Sequence, residues 1–471
     1  MSDTALSLHE SLFNAVPNRL PRLDPGYRPL ALGVRAYRHA LAASPAKEKL
    51  LIGLEGAPGN LVRLDLEIFP AGTGRDADNQ RFAGWMLNAL LWSVGGWRVY
   101  LGGPKALCEA LAAEYQPNAR WSWDAELQGQ AFGETFTVQI VEPSQMPAAS
   151  AKPLSLGGNL GGCRIGFDLG ASDYKVAAVV DGEPIWSEEL HWEPKAHSDP
   201  EYHYQKIQEG LKLAASKLPR VDAIGGSSAG ILVDSQIMVA SLFRAVPQEI
   251  YAERVRPIFR RIEKEWGVPV EVINDGDVTA LAGALSLGKN GILGIALGSS
   301  EAVGFLDLRG KITGWLNELA FGPVDANPEG GRDDWSNNPG VGAAYFSQQA
   351  VGKLLQPAGL EFPAEMALPE ILKEVQKKAE AGDANALAIF ETIGIYLGYT
   401  LPWYAEFYDM ENAMILGRVT SGVGGELILR TAKEILATEF PEIAARIDIF
   451  LPDEKSRRVG QAVAAASLPK A

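Results

Sequence analysis

Hydrophobic and polar positions follow two different periods along this chain. Short apolar, β-branched runs at residues 50–54, 61–69 and 136–141 predict strands, and apolar positions at helical spacing predict a helix over 79–94. A stretch rich in Pro, Ser, Ala and Gly at 143–162 then reads as a linker. Beyond it, runs at 164–169, 175–180 and 185–190, the last two joined by Asp181-Gly182, predict three antiparallel strands. Ser198-Asp199-Pro200-Glu201 has the form of a helix start, and that helix is expected to reach about residue 217. Further strands are expected at 221–226, 270–273, 291–297, 302–308 and 413–416. They alternate with helices at 249–266, 278–287, 340–355, 369–381 and 384–407. No repeat of fixed period and no low-complexity tract interrupts the order.

At 471 residues the chain exceeds what one core supports, so two or three packed units are expected. The formal charge of −15 argues against nucleic acid as the main partner, because phosphate backbones demand clustered positive surface. Cys108 and Cys163 are the only cysteines, which excludes a disulfide framework and a multi-thiolate zinc site. With no signal-like apolar run at the start and no segment of roughly 20 apolar residues, the expectation is a cytoplasmic protein without membrane contact.

Candidate chemistry sits at strand ends. Asp168-Leu169-Gly170-Ala171-Ser172 ends a strand in an acid and a turn of small residues. Backbone N–H groups and the Ser172 hydroxyl can meet phosphate oxygens there, and Asp168 can orient Mg²⁺ through water. The same layout also describes an ordinary hairpin turn. Asn274-Asp275-Gly276-Asp277 closes a later strand just before a helix. Asp275 is placed to accept an alcohol proton during phosphoryl transfer, while any of the three polar residues can serve as the helix cap. Gly298-Ser299-Ser300 is a second turn able to face phosphates, and Leu416-Gly417-Arg418 follows a strand where missing side chains would admit a purine. His191, His197 and His203 lack metal-ligand spacing and read as solvated or cleft-lining residues. Trp315, Trp335, Trp403 and Tyr404 can stack on a sugar ring or fill a core.

Taken in order, these segments resemble the ROK family of bacterial sugar kinases and related proteins over about residues 163–468. The family's Asp-Leu-Gly-Gly-Thr-Lys turn is similar to Asp168–Ser172, its Pro-Gly-x-Val-Asp segment to 227–234 with Gly230, and its Glu-Asn-Asp-Ala-Asn segment to 273–277. The resemblance implies an α/β, two-lobed actin-like ATPase (ribonuclease H-like) fold with an additional N-terminal mixed α/β domain. The expected units are 1–155, a small lobe at 156–272 completed by 455–471, and a large lobe at 273–454. It further implies ATP and Mg²⁺ as requirements, with Asp275 as general base and Asn274, Asp275, Glu318 and Gly230 on the sugar. Asp168, Gly170, Ala171, Ser172, Gly298, Ser299, Ser300 and Gly417 would attend the nucleotide and its phosphates. A base of ordinary pKa, about 4, would take the proton late in the reaction.

Departures from the family pattern are equally legible. Gly298-Ser299-Ser300 replaces Gly-Thr-Gly, Glu318-Leu319-Ala320-Phe321 keeps the acid of Glu-x-Gly-His and loses the histidine, and residues 333–340 stand where a Cys-rich zinc motif often follows, so no structural zinc is expected. Partners are therefore a sugar and ATP, with a homodimer left open. The alternative is a sensor of this fold that binds sugar or nucleotide without turnover, and a third class is an ATPase of the actin or heat-shock type.

Overall fold

The computed structural model describes residues 11–57, 59–150, 156–170, 173–452 and 454–471, of which 454–459 are described as backbone only. Ala171 and Ser172 of the first expected phosphate turn lie outside the described residues.

The N-terminal part contributes β1 (Glu48–Glu55), β2 (Leu61–Ile68), β3 (Arg98–Gly102) and β4 (Thr137–Ile140), paired in the order β2-β1-β3-β4. The helix Lys105–Ala113 packs on β3 and β4, and the helices Leu30–Ala42 and Asp76–Ser93 share an apolar core with this sheet. Its apolar face is not closed off. One hydrophobic core runs from Phe13, Tyr37 and Leu87 to Leu293, Tyr396 and Ile435, so this part is buried against the second half of the chain. The stretch read as a linker is also tied down: Ser150 and Leu61 exchange backbone hydrogen bonds, and Gly157 and Asn159 donate to Leu468 and Ser467.

Next come β5 (Cys163–Leu169), β6 (Asp173–Val180), β7 (Glu183–His191), β8 (Ala223–Ser228), the small hairpin β9 (Ile231–Val233) and β10 (Gln236–Val239), and β11 (Val270–Asn274). The five-stranded sheet runs β11-β8-β5-β6-β7, with β5, β6 and β7 antiparallel as expected and β8 and β11 joining in parallel. The last sheet repeats this plan. β12 (Ile292–Leu297) and β13 (Glu301–Leu306) form a hairpin, and β14 (Asn412–Leu416) and β15 (Asp448–Phe450) extend it in parallel on the other side of β12. Here the third hairpin strand shrinks to a single bridge between Leu306 and Ile312. Two sheets of one winding, each with its first strand central, make the two lobes.

Two expected helices are shorter than their periodicity suggests. The run at 249–266 is split into Gln248–Arg254 and Ile258–Trp266, because Pro257 lacks an N–H and disfavours helical backbone at the residue before it. The run at 340–355 makes one 3-10 turn at Gly342–Ala344 and is α-helical only from Gln348 to Leu355, where the Ser347 hydroxyl accepts from the Gln349 N–H as the cap.

The helix Asp275–Leu287 lies between the lobes, packed on β12 and β13 and touching β8 and β11. Its first turn meets β13 backbone to backbone. A Cβ on Gly304 would stand 2.1 Å from the Gly276 carbonyl oxygen, and one on Gly276 would stand 2.4 Å from that of Val303. Neither backbone can yield without moving the helix start. Gly304→Val is therefore expected to cost about 3 kcal/mol through overpacking, read as a lower urea midpoint with unchanged slope.

Candidate active site

The C-terminal ends of β5, β8 and β11 sit side by side, the edge at which parallel α/β sheets bind ligands. Asp168 on β5 stands in register with Ser227 on β8, and Asp275 begins the helix directly after β11. Asn274 is the cap of that helix. Its side-chain oxygen accepts from the Gly276 N–H at 2.7 Å, and its amide donates to the Gly230 carbonyl at 2.9 Å. Capping therefore occupies Asn274 and leaves Asp275 free of that task. Gly230, at φ +117, brings the β8–β9 loop against the same helix start.

Asp275 and Glu318 keep a partly exposed face, but the surrounding protein withholds water from both. Burial, and then the charge of Asp168, push Asp275 up to about 6. The weak base expected from sequence is thus corrected to one whose proton affinity lies closer to neutrality. Burial followed by Asp275 and Asp277 pushes Glu318 up to about 8. Asp168 is raised by burial, opposed by Ser227 and Lys175. Asp275 and Asp277 share the first turn of one helix, and Asn317, the neighbour of Glu318, donates to Asp277, so the structure brings the Glu318 loop to the start of the helix that follows β11.

Two residues of this neighbourhood, Asn317 and Glu301, were not singled out by sequence, and Asp277 was singled out only as a candidate helix cap. Asp277 is buried, and its Oδ1 accepts from the Phe305 N–H at 3.0 Å and from Asn317 Nδ2 at 2.8 Å. Asn317, in left-handed backbone at φ +54, in turn accepts from the Tyr408 hydroxyl at 3.0 Å. Glu301 opens β13 directly after the Gly298 turn and is 3% exposed. Tyr404 donates to its Oε1 at 3.1 Å, its Oε2 has no hydrogen-bond partner among the described residues, and burial followed by Glu318 pushes it up to about 8. Only the acidic character of Asp277 and Glu301 beside the motifs was available to find them.

At the second turn, the Gly298 N–H is spent on the Ser300 carbonyl at 3.0 Å, and the Gly298 carbonyl accepts from the Gln348 N–H. Gly170 is similarly engaged, donating to the Asp173 carbonyl and accepting from Trp192 Nε1 at 2.9 Å. Ser299 is exposed and Ser300 half-buried. Beside them Gly417, at φ +99, lies so close to β12 that a Cβ would meet the Leu297 carbonyl oxygen at 2.4 Å. A cavity of about 480 Å³ opens there, lined by Thr279, Gly283, Met414, Gly417, Arg418, Ser421 and Gln461.

The remaining candidates resolve differently. His203 is buried, stacked on Phe243, with Nε2 2.9 Å from the Pro194 carbonyl, which corrects its reading as a solvated or cleft-lining residue. Trp403 is buried and donates to the Pro323 carbonyl, and Trp315 stacks on Phe305. Phe321 is enclosed by Trp92, Trp123 and Trp335, with ring centroids 5.0–5.3 Å away. Asp333 organises the following loop by accepting from Trp335, Ser336 and Gln349. Among the described residues no three His, Cys, Asp or Glu side chains converge as a metal cage, and no helix is long and apolar enough to cross a membrane.

No protein-family profile matches the chain. A glucokinase from Halalkalibacterium halodurans is 28% identical over 191 residues, 38% of this chain and 57% of that protein, so the chain matches little more than half the length of this curated relative. Solved structures similar in fold include two of ROK proteins. One is a ROK family transcriptional regulator, homolog of the E. coli MLC protein, with 19% identity, TM-score 0.52, and coverage of 66% of this chain and 79% of the other. The second is a ROK hexokinase from Thermus thermophilus, with 18% identity, TM-score 0.50, and coverage of 64% and 97%. The fold is thus the two-lobed actin-like ATPase fold. Within that class it is the fold of the ROK proteins.

Acids held protonated by burial give stability a distinct pH profile. Asp277, pushed up to about 7, Glu301 and Glu318 bind protons more tightly folded than unfolded. Their contribution is complete below about pH 4 and is lost as pH rises through 7 to 8. Melting temperature should therefore fall by several degrees between pH 5.5 and 8.5 in scanning calorimetry, and Glu301→Gln, which keeps an acceptor for Tyr404, should flatten that decline.

Proposed function

We propose that this protein is an ATP- and magnesium-dependent kinase acting on a hydroxyl of a sugar or sugar derivative. The observation that carries the reading is Asp275: a carboxylate at a helix start, between two lobes, with raised proton affinity and a second acid, Glu318, in range. Phosphoryl transfer asks little covalent chemistry of a protein. It asks for a positioned hydroxyl, an acceptor for its proton and stabilisation of phosphate charge.

In this reading Asp275 accepts the proton of the attacking hydroxyl, while Glu318, the free N–H of Asn274 and the loop at Gly230 hold the other sugar hydroxyls. The cavity beside Gly417 takes the adenosine, where a side chain at 417 would be excluded by β12. Ser299 and Ser300 meet the phosphates on the large-lobe side, since the Gly298 amide is already bonded, and, the Gly170 amide being bonded likewise, residues 171 and 172 are assigned the other side from their place in the sequence motif. Asp168 suits Mg²⁺, a hard cation that needs one or two carboxylates and otherwise takes phosphate oxygens and water. Bound there, the ion would neutralise charge on the transferred phosphate. Closing the lobes over the site excludes water and suppresses hydrolysis of the donor. A cytoplasmic setting, where ATP is abundant, fits this use.

Coupled ADP release over a panel of hexoses, amino sugars and polyols tests the proposal. Wild type is expected to turn over at least one of them, and Asp275→Asn to lose about two to four orders of magnitude in kcat with KM for ATP little changed. Retention of most of the rate by that variant would remove Asp275 from its role. The enclosure of Phe321 by three tryptophans, where a polar residue would face the sugar, favours one second reading, a sugar-binding sensor without turnover. Calorimetric sugar binding with no affinity for Mg-ATP would decide for it.

A further inference from the structure

Glu318 owes its position to a part of the chain that no motif marks. The helix Asp76–Ser93 ends with carbonyls that have no partner within the helix, as every helix does. The N–H groups of Leu316, Asn317 and Glu318 supply the partners, donating in turn to the carbonyls of Val94, Ser93 and Trp92 at 3.0, 3.0 and 2.9 Å. Three consecutive backbone bonds fix the trace of the loop that carries Glu318. The Asn317 side chain then fastens the same loop to Asp277, in the first turn of the helix that begins with Asp275.

The end of the helix Asp76–Ser93 is itself held by one buried carboxylate. Asp124, fully buried in the first turn of the helix Ser122–Phe132, accepts from Asn88 at 3.0 Å and Trp92 Nε1 at 2.7 Å on one oxygen, and from Asn338 at 2.9 Å on the other. Two of these donors belong to the helix that supplies the carbonyls, and the third to the loop that follows Phe321. The helix that carries Asp124 also packs on the hairpin of β9 and β10, where Leu127 and Ala131 join Ile231 and Met238 in one apolar cluster. That hairpin begins next to Gly230. The N-terminal part thus touches the sugar side of both lobes.

We infer that residues 76–132 form a third wall of the cleft and that Asp124 is a positioning residue for Glu318. The inference rests on the kinase reading for its effect on turnover, but not for the coupling itself. Asp124→Ala strands three buried donors at once, whereas Asp124→Asn keeps one oxygen for Asn88 and Trp92 and lets the Asn338 amide turn to accept from the new N–H.

Amide hydrogen exchange read by mass spectrometry on the full chain tests the coupling without any ligand. Asp124→Ala is expected to raise exchange at residues 316–318 by about tenfold or more, with β5, β8 and β12 protected as in wild type, and Asp124→Asn to restore most of the protection. If Asp124→Ala does not fold, Trp92→Phe, which removes a single donor and keeps an aromatic ring, should produce the same local effect in weaker form. Unchanged exchange at 316–318 in a folded Asp124→Ala or Trp92→Phe, or equal exchange in the Ala and Asn variants, would overturn the inference. With a sugar that wild type phosphorylates, Asp124→Ala should raise the sugar KM about tenfold while KM for ATP stays within about twofold. Equal changes in both constants would count against a role confined to Glu318. Absence of turnover by wild type would overturn the kinase reading alone, because the exchange result judges the coupling separately.

Discussion

The cleft depends on how closely one helix can approach one strand. Glycine at 276 and 304 lets the first turn of the helix Asp275–Leu287 rest directly on the backbone of β13. That contact sets where Asp275 points, brings Asp277 within reach of the Phe305 N–H and draws the Asn317 loop inward. Interiors are packed too densely for a side chain to be inserted there by small adjustments elsewhere. The placement of the acids is therefore a consequence of backbone approach before it is one of side-chain chemistry.

Gathering acids in this way is costly. Asp275, Asp277, Glu301 and Glu318 all hold protons more tightly than they would in water, burial being the leading cause for each. Hydrogen bonds from Asn317, Phe305 and Tyr404 offset part of that cost at Asp277 and Glu301. Asp275 and Glu318 face the cleft instead. A fold that only needed stability would gain from apolar residues at such positions, and acids gathered at this cost in one place support the proposed reading of it as the functional region.

The two lobes are wound alike, yet they meet the N-terminal part differently. On the large-lobe side a continuous core and the 316–318 backbone bonds make one packed body, while on the small-lobe side contact runs through the β9–β10 hairpin. The bound end of the helix Asp76–Ser93 is what ties this part to the Glu318 loop. Its unpaired carbonyls would otherwise need water, and the Glu318 loop takes that place.

Much of this molecule was legible in the order of its residues. The three-stranded opening, the turns at Gly170 and Gly298, the acid after β11 and the glycine after β14 follow from local rules, because strand period, hairpin turns and helix caps are decided within a few residues. Pro257 was legible too, had its missing N–H been weighed against the periodicity around it. Glu318 was visible only through resemblance, since nothing beside Trp315-Leu316-Asn317 distinguishes it from a surface acid. Asp124, Glu301, Asn317 and Tyr408 were silent: their partners lie between 32 and 214 positions away for Asp124 and at similarly long range for the others. The sequence by itself determined the elements and the residue types at their ends. Only the tertiary structure decided which acids lose water together and which carbonyls hold the Glu318 loop, because burial and long-range pairing exist only once the chain has closed on itself.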